Sequence, residues 1–451
     1  MGRMFGTDGI RGVANKNPMT AETALRLGRA TAHIFYQRCS GTRPVIVIGK
    51  DTRQSSDMLE HALAAGLCSM GADALLVGVL PTPGIAFMIR ALGADAGMVV
   101  SASHNPFEDN GIKIFSGDGF KLPDTYEDAI EELVTSEKTG RDLPTGAGLG
   151  RVRRIKNAAE QYFQFCKNTF PEKLNLKGIR VVLDCANGAT YKVAPVVFHA
   201  LGATVEVIHN NPDGKNINDK CGSQYTEDLA AKVIATKANL GLAFDGDGDR
   251  LIAVDEKGNR LTGDHIMAIC ARLYKDLGLL RNNRVIATIM SNIGFLGAMR
   301  DMGIETGASK VGDRFVLEMM RYKDAVIGGE ESGHVIFLNH HTSGDGIIAA
   351  LQLIWAMKHY DKALSELSQV MTLSPQKIVN VDVVSKPPLE EIPMLQEAIR
   401  AAETELGDRG RVLIRYSGTQ SMCRVMVEGP TKELTDLIAI SLADVIREYI
   451  G

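Results

Sequence analysis

Aromatic residues make up only 6% of this 451-residue chain, with one Trp, and no stretch reaches the roughly 18–20 uninterrupted apolar residues of a membrane span. A membrane partner is therefore not expected. The start, MGRMFGTDGIRG, lacks the apolar core of a secretory signal, and Gly6 stands where a myristoylation motif wants Ser or Thr. A soluble, cytoplasmic protein is the expectation. The seven cysteines are scattered and never form a C-x-x-C pair, which argues against a disulfide framework and a zinc site of that type. No basic run is longer than the RVRR ending at Arg154, and the net charge is -4, so no footprint for nucleic acid is visible. An anionic ligand must be held by a local site.

What is present is an ordinary globular balance, 45% hydrophobic and 23% charged, at a length that implies about three domains. One unit recurs three times. In the first copy Leu59, Ala62, Leu63, Gly66, Leu67 and Met70 follow helical spacing, Gly71 closes the helix, and ALLVGV from Ala74 reads as a buried strand. Val193 to Leu201 with Gly202 and TVEVI repeat this pattern, as do Phe295 to Met302 with Gly303 and IETGAS. An apolar strand precedes each helix (VIVIG, VVLD, VIATIM), and a third strand follows each unit (GMVVSAS, LGLAF, AVIGG). Strands alternating with helices of about 10–15 residues predict a mostly parallel α/β sheet in each copy.

The third strands run into the three most unusual loops of the chain: SASHNPFEDNG from Ser101, DGDGDR from Asp245 and GEESGH from Gly329. Ligands in open α/β sheets bind beyond the carboxyl ends of strands, so equivalent loops on related domains predict one shared cleft. Gly-rich PTGAGLG from Pro144 and the EKGN turn at Glu256 mark boundaries, and after Ser374 the periodicity changes to that of a small α+β domain. The expected fold is thus α/β, with three related mixed α/β domains (1–150, 151–256, 257–373) and a smaller C-terminal α+β domain (374–451) around a central cleft.

Asp245, Asp247 and Asp249 alternate with glycine, which predicts three carboxylates on one side of a loop, a donor set suited to Mg²⁺ or another hard divalent cation. An EF-hand is rejected: Arg250 stands where that loop needs Gly, and LIAV from Leu251 is strand-like. A polar Asp-Gly hairpin turn is the simpler alternative. Ser103, beside His104 and before Asn105-Pro106, sits at a strand end as a nucleophile would, with Lys113 available for phosphate charge or proton transfer. A serine that merely bonds backbone is the competing reading, and a hydrolase triad is a further one, although G-x-S-x-G is absent. No Walker A or kinase signature indicates a nucleotide donor, which leaves the protein itself as a phosphoryl donor. In RYSGTQSMCR, Arg415 and Arg424 flank Ser417, Gly418 and Thr419, a pattern fit for an anion or an ordinary turn. At the N-terminus glycines surround Arg11, which reads as a flexible leader or as a loop aiming Arg11 at a phosphate.

Taken in order, FGTDGIRG, SASHNP, CANGA, PDGKNIN, DGDGDR, KVGDR, GEESGH and RYSGT resemble the α-D-phosphohexomutase superfamily over essentially the whole length. FGTDGIRG and PDGKNIN-x-x-CGS favour its glucosamine branch over the phosphomannomutase and phosphoglucomutase one. The resemblance implies a phosphoserine isomerase of amino-sugar metabolism acting on small sugar phosphates, which interconverts glucosamine 6- and 1-phosphate through a bound glucosamine 1,6-bisphosphate and feeds cell-wall precursors. It implies that Ser103 carries the phosphoryl group and holds one Mg²⁺ together with Asp245, Asp247 and Asp249, with Arg11, His104 and Lys113 around it. Arg250, Lys310, Glu330, Ser332 and His334 would bind the sugar, while Arg415, Ser417, Gly418, Thr419 and Arg424 would grip the phosphate that is not transferred. The family usually has Thr-Glu-Pro where this chain has Thr419, Gln420 and Ser421, which removes a fixed φ and a carboxylate from that loop. Other readings are a mutase for mannose or glucose phosphates and a non-catalytic sugar-phosphate sensor. The sequence leaves the assembly state open, a homodimer being one option.

Overall fold

The computed structural model describes residues 4–6, 8–39, 42–136, 143–416 and 421–451. The chain divides into two compact units: Met1–Met290 with Glu305–Gln369, and Ser291–Ile304 with Val370–Gly451.

The larger unit holds three sheets with one shared motif. In the first, Asp73–Val79, Val45–Lys50 and Ala96–Val100 are parallel neighbours in that order, and Asp109–Ser116 returns antiparallel beside the last. The second repeats this with Thr204–Ile208, Arg180–Asp184, Leu240–Phe244 and the returning Leu251–Asp255. The third repeats it with Glu305–Ser309, Arg284–Thr288, Ile327–Gly329 and the returning Val335–Phe337. The three parallel strands agree with the repeat seen in sequence. The antiparallel return strand is new information, and it explains the loops: each one reverses the chain between the third strand and its return. Ile10–Val13 and Val152–Arg154 extend the edges of the first sheet, the latter lying past residue 150.

The glycines that close the repeat helices act alike. The residue after each glycine donates its N–H to the carbonyl five back (Ala72 to Leu67, Ala203 to Phe198, Ile304 to Met299), and the glycine itself donates three back. This helix-ending pattern needs a left-handed residue, and Gly71, Gly202 and Gly303 have φ of 87°, 97° and 61°.

The smaller unit has an antiparallel sheet ordered Gln376–Asp382, Met422–Glu428, Arg411–Tyr416, with helices Pro393–Leu406 and Lys432–Ile450 on an apolar core that includes Leu395, Val425 and Leu442. It also includes Ile293–Asp301, the helix of the third repeat. The fully buried Glu428 is the reason: its carboxylate accepts from Asn292 Nδ2 at 3.1 Å, Ile293 N–H at 3.1 Å, Gln376 Nε2 at 3.0 Å and Arg411 Nε at 2.6 Å. Among the described residues no helix is long and apolar enough to cross a membrane.

Candidate active site

Ser103 follows Ala96–Val100 in the loop that reverses the first sheet, and it is buried with φ 53°, left-handed for a residue that has a Cβ. The surroundings hold it there. Its N–H donates to Ser101 Oγ at 3.0 Å, and Ser101 donates to Asp51 Oδ2 at 2.6 Å. Arg53, itself buried, donates from Nε to Asp51 Oδ2 at 2.9 Å and from Nη2 to the carbonyls of Ser103 at 2.9 Å and Asn105 at 2.8 Å, while Nη1 reaches the Pro106 carbonyl. From the second α/β domain, Asn218 Nδ2 donates to the same Ser103 and Asn105 carbonyls at 2.8 and 2.9 Å. With its backbone clamped, Ser103 presents Oγ to Asp245 Oδ2 at 2.6 Å, with His104 Nδ1 at 3.3 Å.

The acidic loop reverses the second sheet. Its two glycines serve different needs: a Cβ on Gly246 would lie 2.6 Å from the Ser103 carbonyl oxygen, whereas Gly248 has φ 72°. The loop therefore touches the serine loop backbone to backbone, and Asp245, Asp247 and Asp249 are all buried with carboxylate oxygens within 4.8 Å of one another. Asp247 Oδ2 accepts from Thr82 Oγ1 at 2.7 Å and from Lys113 Nζ at 3.0 Å, but Asp247 Oδ1 and Asp249 Oδ1 are buried with no hydrogen-bond partner. Orphaned carboxylate oxygens beside a third carboxylate fit a hard cation.

Cations partly offset this charge. Lys113 Nζ lies 3.1 Å from Asp8 Oδ2 and 3.7 Å from Asp249 Oδ2. Asp8 also pairs with Arg11 and Lys121, and Lys121 reaches Asp313 at 2.5 Å. His334 closes the circuit, with Nε2 3.8 Å from Asp313 and Nδ1 3.5 Å from Asp249. The alternation sets the protonation states. Burial, then the Asp249 and Asp247 charges, drive Asp245 well above the carboxylate range. Burial opposes ionisation of Asp249, but His334, Lys113 and Arg250 outweigh it and hold that group below the range. Burial would lower His334 and Lys113, yet carboxylates on both sides push His334 to about 9 and raise Lys113. His104 goes the other way, to about 4, through burial and the Arg250 and Arg11 charges.

The structure thus brings Arg11, Ser103, His104, Lys113, the three aspartates and His334 together. Arg250 is adjacent, its N–H donating to Asp245 Oδ1 at 3.2 Å. Glu330 is partly buried and accepts from Gly312 N–H at 2.9 Å, which ties GEESGH to KVGDR. Lys310 and Ser332 are exposed, the Lys310 ammonium standing 5.8 Å over the Phe315 ring. In the smaller unit Arg415 and Arg424 face each other across an antiparallel pair, and Arg424 Nε is buried without a partner, an arrangement open to an anion. Ser417, Gly418, Thr419 and Gln420 lie outside the described residues.

Sequence reasoning passed over Asp8, Asp51, Arg53, Thr82, Lys121, Asn218 and Asp313. Asp8, Asn218 and Asp313 stand inside the motifs FGTDGIRG, PDGKNIN and KVGDR, whose carboxylates and amide are a signal for partners of Lys113, Lys121 and the serine-loop carbonyls. Asp51 and Arg53 carry no local signal, because the serine-loop groups they hold lie about 50 residues away.

Comparison with known proteins gives a consistent answer. Four sequence models of the phosphoglucomutase/phosphomannomutase family match in order: the alpha/beta/alpha domains I, II and III at residues 2–141, 160–258 and 262–373, and the C-terminal domain at 378–445. Phosphoglucosamine mutases of Syntrophus aciditrophicus and Syntrophobacter fumaroxidans are 57% and 54% identical, each over the whole of both chains. Among solved structures, a phosphoglucomutase/phosphomannomutase family protein of Burkholderia thailandensis superposes with a TM-score of 0.80 at 24% identity, covering 99% of this chain and 97% of the other. Aspergillus fumigatus N-acetylphosphoglucosamine mutase, solved with GlcNAc-6P and magnesium, gives 0.69 at 17% identity, over 99% and 95%. Domain order and full-length identity agree, and the chain belongs to the phosphoglucomutase/phosphomannomutase family, among its bacterial phosphoglucosamine mutases.

Proposed function

We propose that the protein interconverts glucosamine 6-phosphate and glucosamine 1-phosphate by passing a phosphoryl group through Ser103, with Mg²⁺ at Asp245, Asp247 and Asp249. The observation that carries this is the Ser103 hydroxyl, clamped at a strained backbone position and aimed at a carboxylate cluster that keeps unpartnered oxygens. Full-length relatives that are phosphoglucosamine mutases support the substrate. When bound, Mg²⁺ supplies positive charge at the transferring phosphoryl oxygens.

As the sugar O1 attacks, the O1–P bond forms and the Oγ–P bond breaks. Transfer of this kind depends on positioning and charge more than on covalent help. Lys113, between Asp8 and Asp247, supplies positive charge beside the transferring group. The transfer frees the proton of O1 and leaves Ser103 Oγ to take one up; His104, whose Nδ1 stands 3.3 Å from Oγ, is the group placed to exchange a proton at that oxygen. The resulting 1,6-bisphosphate must turn within the site and give its 6-phosphoryl group back to Ser103. Glu330, Ser332, Lys310 and His334 are the side chains this reading assigns to the sugar, and in the smaller unit the facing Arg415 and Arg424 offer charge to a phosphate.

Ser103→Ala should reduce turnover to background, and glucosamine 1,6-bisphosphate should add the mass of one phosphoryl group to the parent protein but not to the variant. Full activity in the variant would sink the mechanism. Assays of glucosamine, glucose and mannose 6-phosphates side by side test the substrate.

A further inference from the structure

The second sheet carries another cluster of donors, away from the serine loop, that the phosphoryl chemistry leaves unused. Asp184 ends Arg180–Asp184 and is fully buried. His209 follows the neighbouring strand Thr204–Ile208, and the buried Cys221 precedes Gly222 in the loop that comes back past it. One donor atom from each lies within 4.8 Å of the others.

The geometry points to a second metal site at Asp184, His209 and Cys221, built for a borderline-soft divalent cation of the Zn²⁺ class. Four observations support it. The donors are one oxygen, one nitrogen and one sulfur, a set that thiolate-tolerant ions accept and Mg²⁺ does not. Zn²⁺ bonds of about 2.0–2.3 Å separate tetrahedral ligands by roughly 3.3–3.7 Å, and His209 Nδ1 already stands 3.1 Å from Asp184 Oδ2. Two of the ligands are oriented from behind: Asp184 Oδ1 accepts from Ala186 N–H and Oδ2 from Gly222 N–H, both at 2.9 Å, and the far nitrogen of His209 faces Asp228 Oδ2 at 3.5 Å. A ligating histidine whose other nitrogen meets a carboxylate is the usual anatomy of such sites. Lastly, His209 adopts φ 46°, a left-handed conformation that glycine would take freely, and this conformation brings its ring to Asp184.

The ion binds the thiolate of Cys221, whose proton leaves to solvent, and water fills the fourth position. Because it bridges the strand end to both ends of the 209–221 segment, it stiffens the segment that carries Asn218, whose amide holds the Ser103 and Asn105 carbonyls. The site is thus a structural tie behind the serine loop. It stands on its own donors and does not depend on the sugar-phosphate reading.

Co²⁺ titrated into the full-length protein, with excess Mg²⁺ occupying the hard site, tests the assignment. The expected result is a thiolate-to-Co²⁺ charge-transfer band that saturates at one equivalent, is displaced by Zn²⁺, vanishes in Cys221→Ser and weakens at least about ten-fold in affinity in His209→Gly. Asp247→Asn should leave the band intact. His209→Gly suits the left-handed backbone and so remains folded if the serine variant does not. Absence of a thiolate band in the parent protein, or a band of unchanged affinity in either variant, would overturn the site.

Discussion

Two clusters stand at the ends of neighbouring strands of one sheet and differ in kind. Asp245, Asp247 and Asp249 follow Leu240–Phe244, while Asp184 ends the strand beside it, with Asp184 and Ala243 in register. The first cluster crowds three buried carboxylates together and leaves two of their oxygens without partners. At the second, one carboxylate has its oxygens bonded to backbone N–H groups, beside an imidazole and a thiol. Crowded carboxylates with unpartnered oxygens suit an external cation and make the site responsive to one. A satisfied carboxylate with softer neighbours holds backbone in place with or without an ion. Adjacent strand ends therefore differ in what they leave unsatisfied.

The largest expected effect lies on the responsive side. Asp247→Asn should lower Mg²⁺-dependent turnover by roughly 10²–10³-fold, measured by steady-state kinetics across a Mg²⁺ titration, and chelation should abolish the parent activity until Mg²⁺ is restored. Next is the clamp: Arg53→Lys cannot reach the Ser103, Asn105 and Pro106 carbonyls together, so kcat should fall by about 10–100-fold with KM nearly constant. A rise confined to KM would move Arg53 from positioning to substrate binding.

Stability should then separate the clusters by sign. Asp184→Asn loses acceptor capacity for the Ala186 and Gly222 N–H groups, costing about 1–3 kcal/mol in urea denaturation. In metal-free protein Asp245→Asn removes a group whose ionisation is opposed by burial and two carboxylates, and the melting temperature should rise. Loss of stability in both would erase the distinction. A further effect concerns pH. His334 is raised from 6.5 to about 9, so its contribution to metal-free stability is complete below pH 6.5 and disappears as pH climbs through about 9. Denaturant midpoints across that range should fall, less steeply in His334→Asn.

Much of the larger unit was legible because it repeats. Periodicity and the closing glycines locate strands and helices three times over, and DGDGDR and SASHNP mark their loops. The antiparallel return strands were missed as a common element, since a short run such as VIF at Val335 does not reveal its direction. Asp51 and Arg53 were invisible for another reason: a buried guanidinium that gathers carbonyls from a distant loop leaves no local pattern. The membership of Ile293–Asp301 in the smaller unit was likewise hidden, because it depends on Glu428, 136 residues beyond Asn292.

That separation also has a consequence in time. Chains emerge during synthesis at about 5–20 residues per second, so Asn292 waits roughly 7–27 seconds for the carboxylate that will accept from it. The first two sheets can close on the ribosome in the meantime. The helix from Ile293 cannot meet the Glu428 carboxylate until nearly the last residue has been translated, which leaves it open to chaperones and proteases in the newborn protein until then.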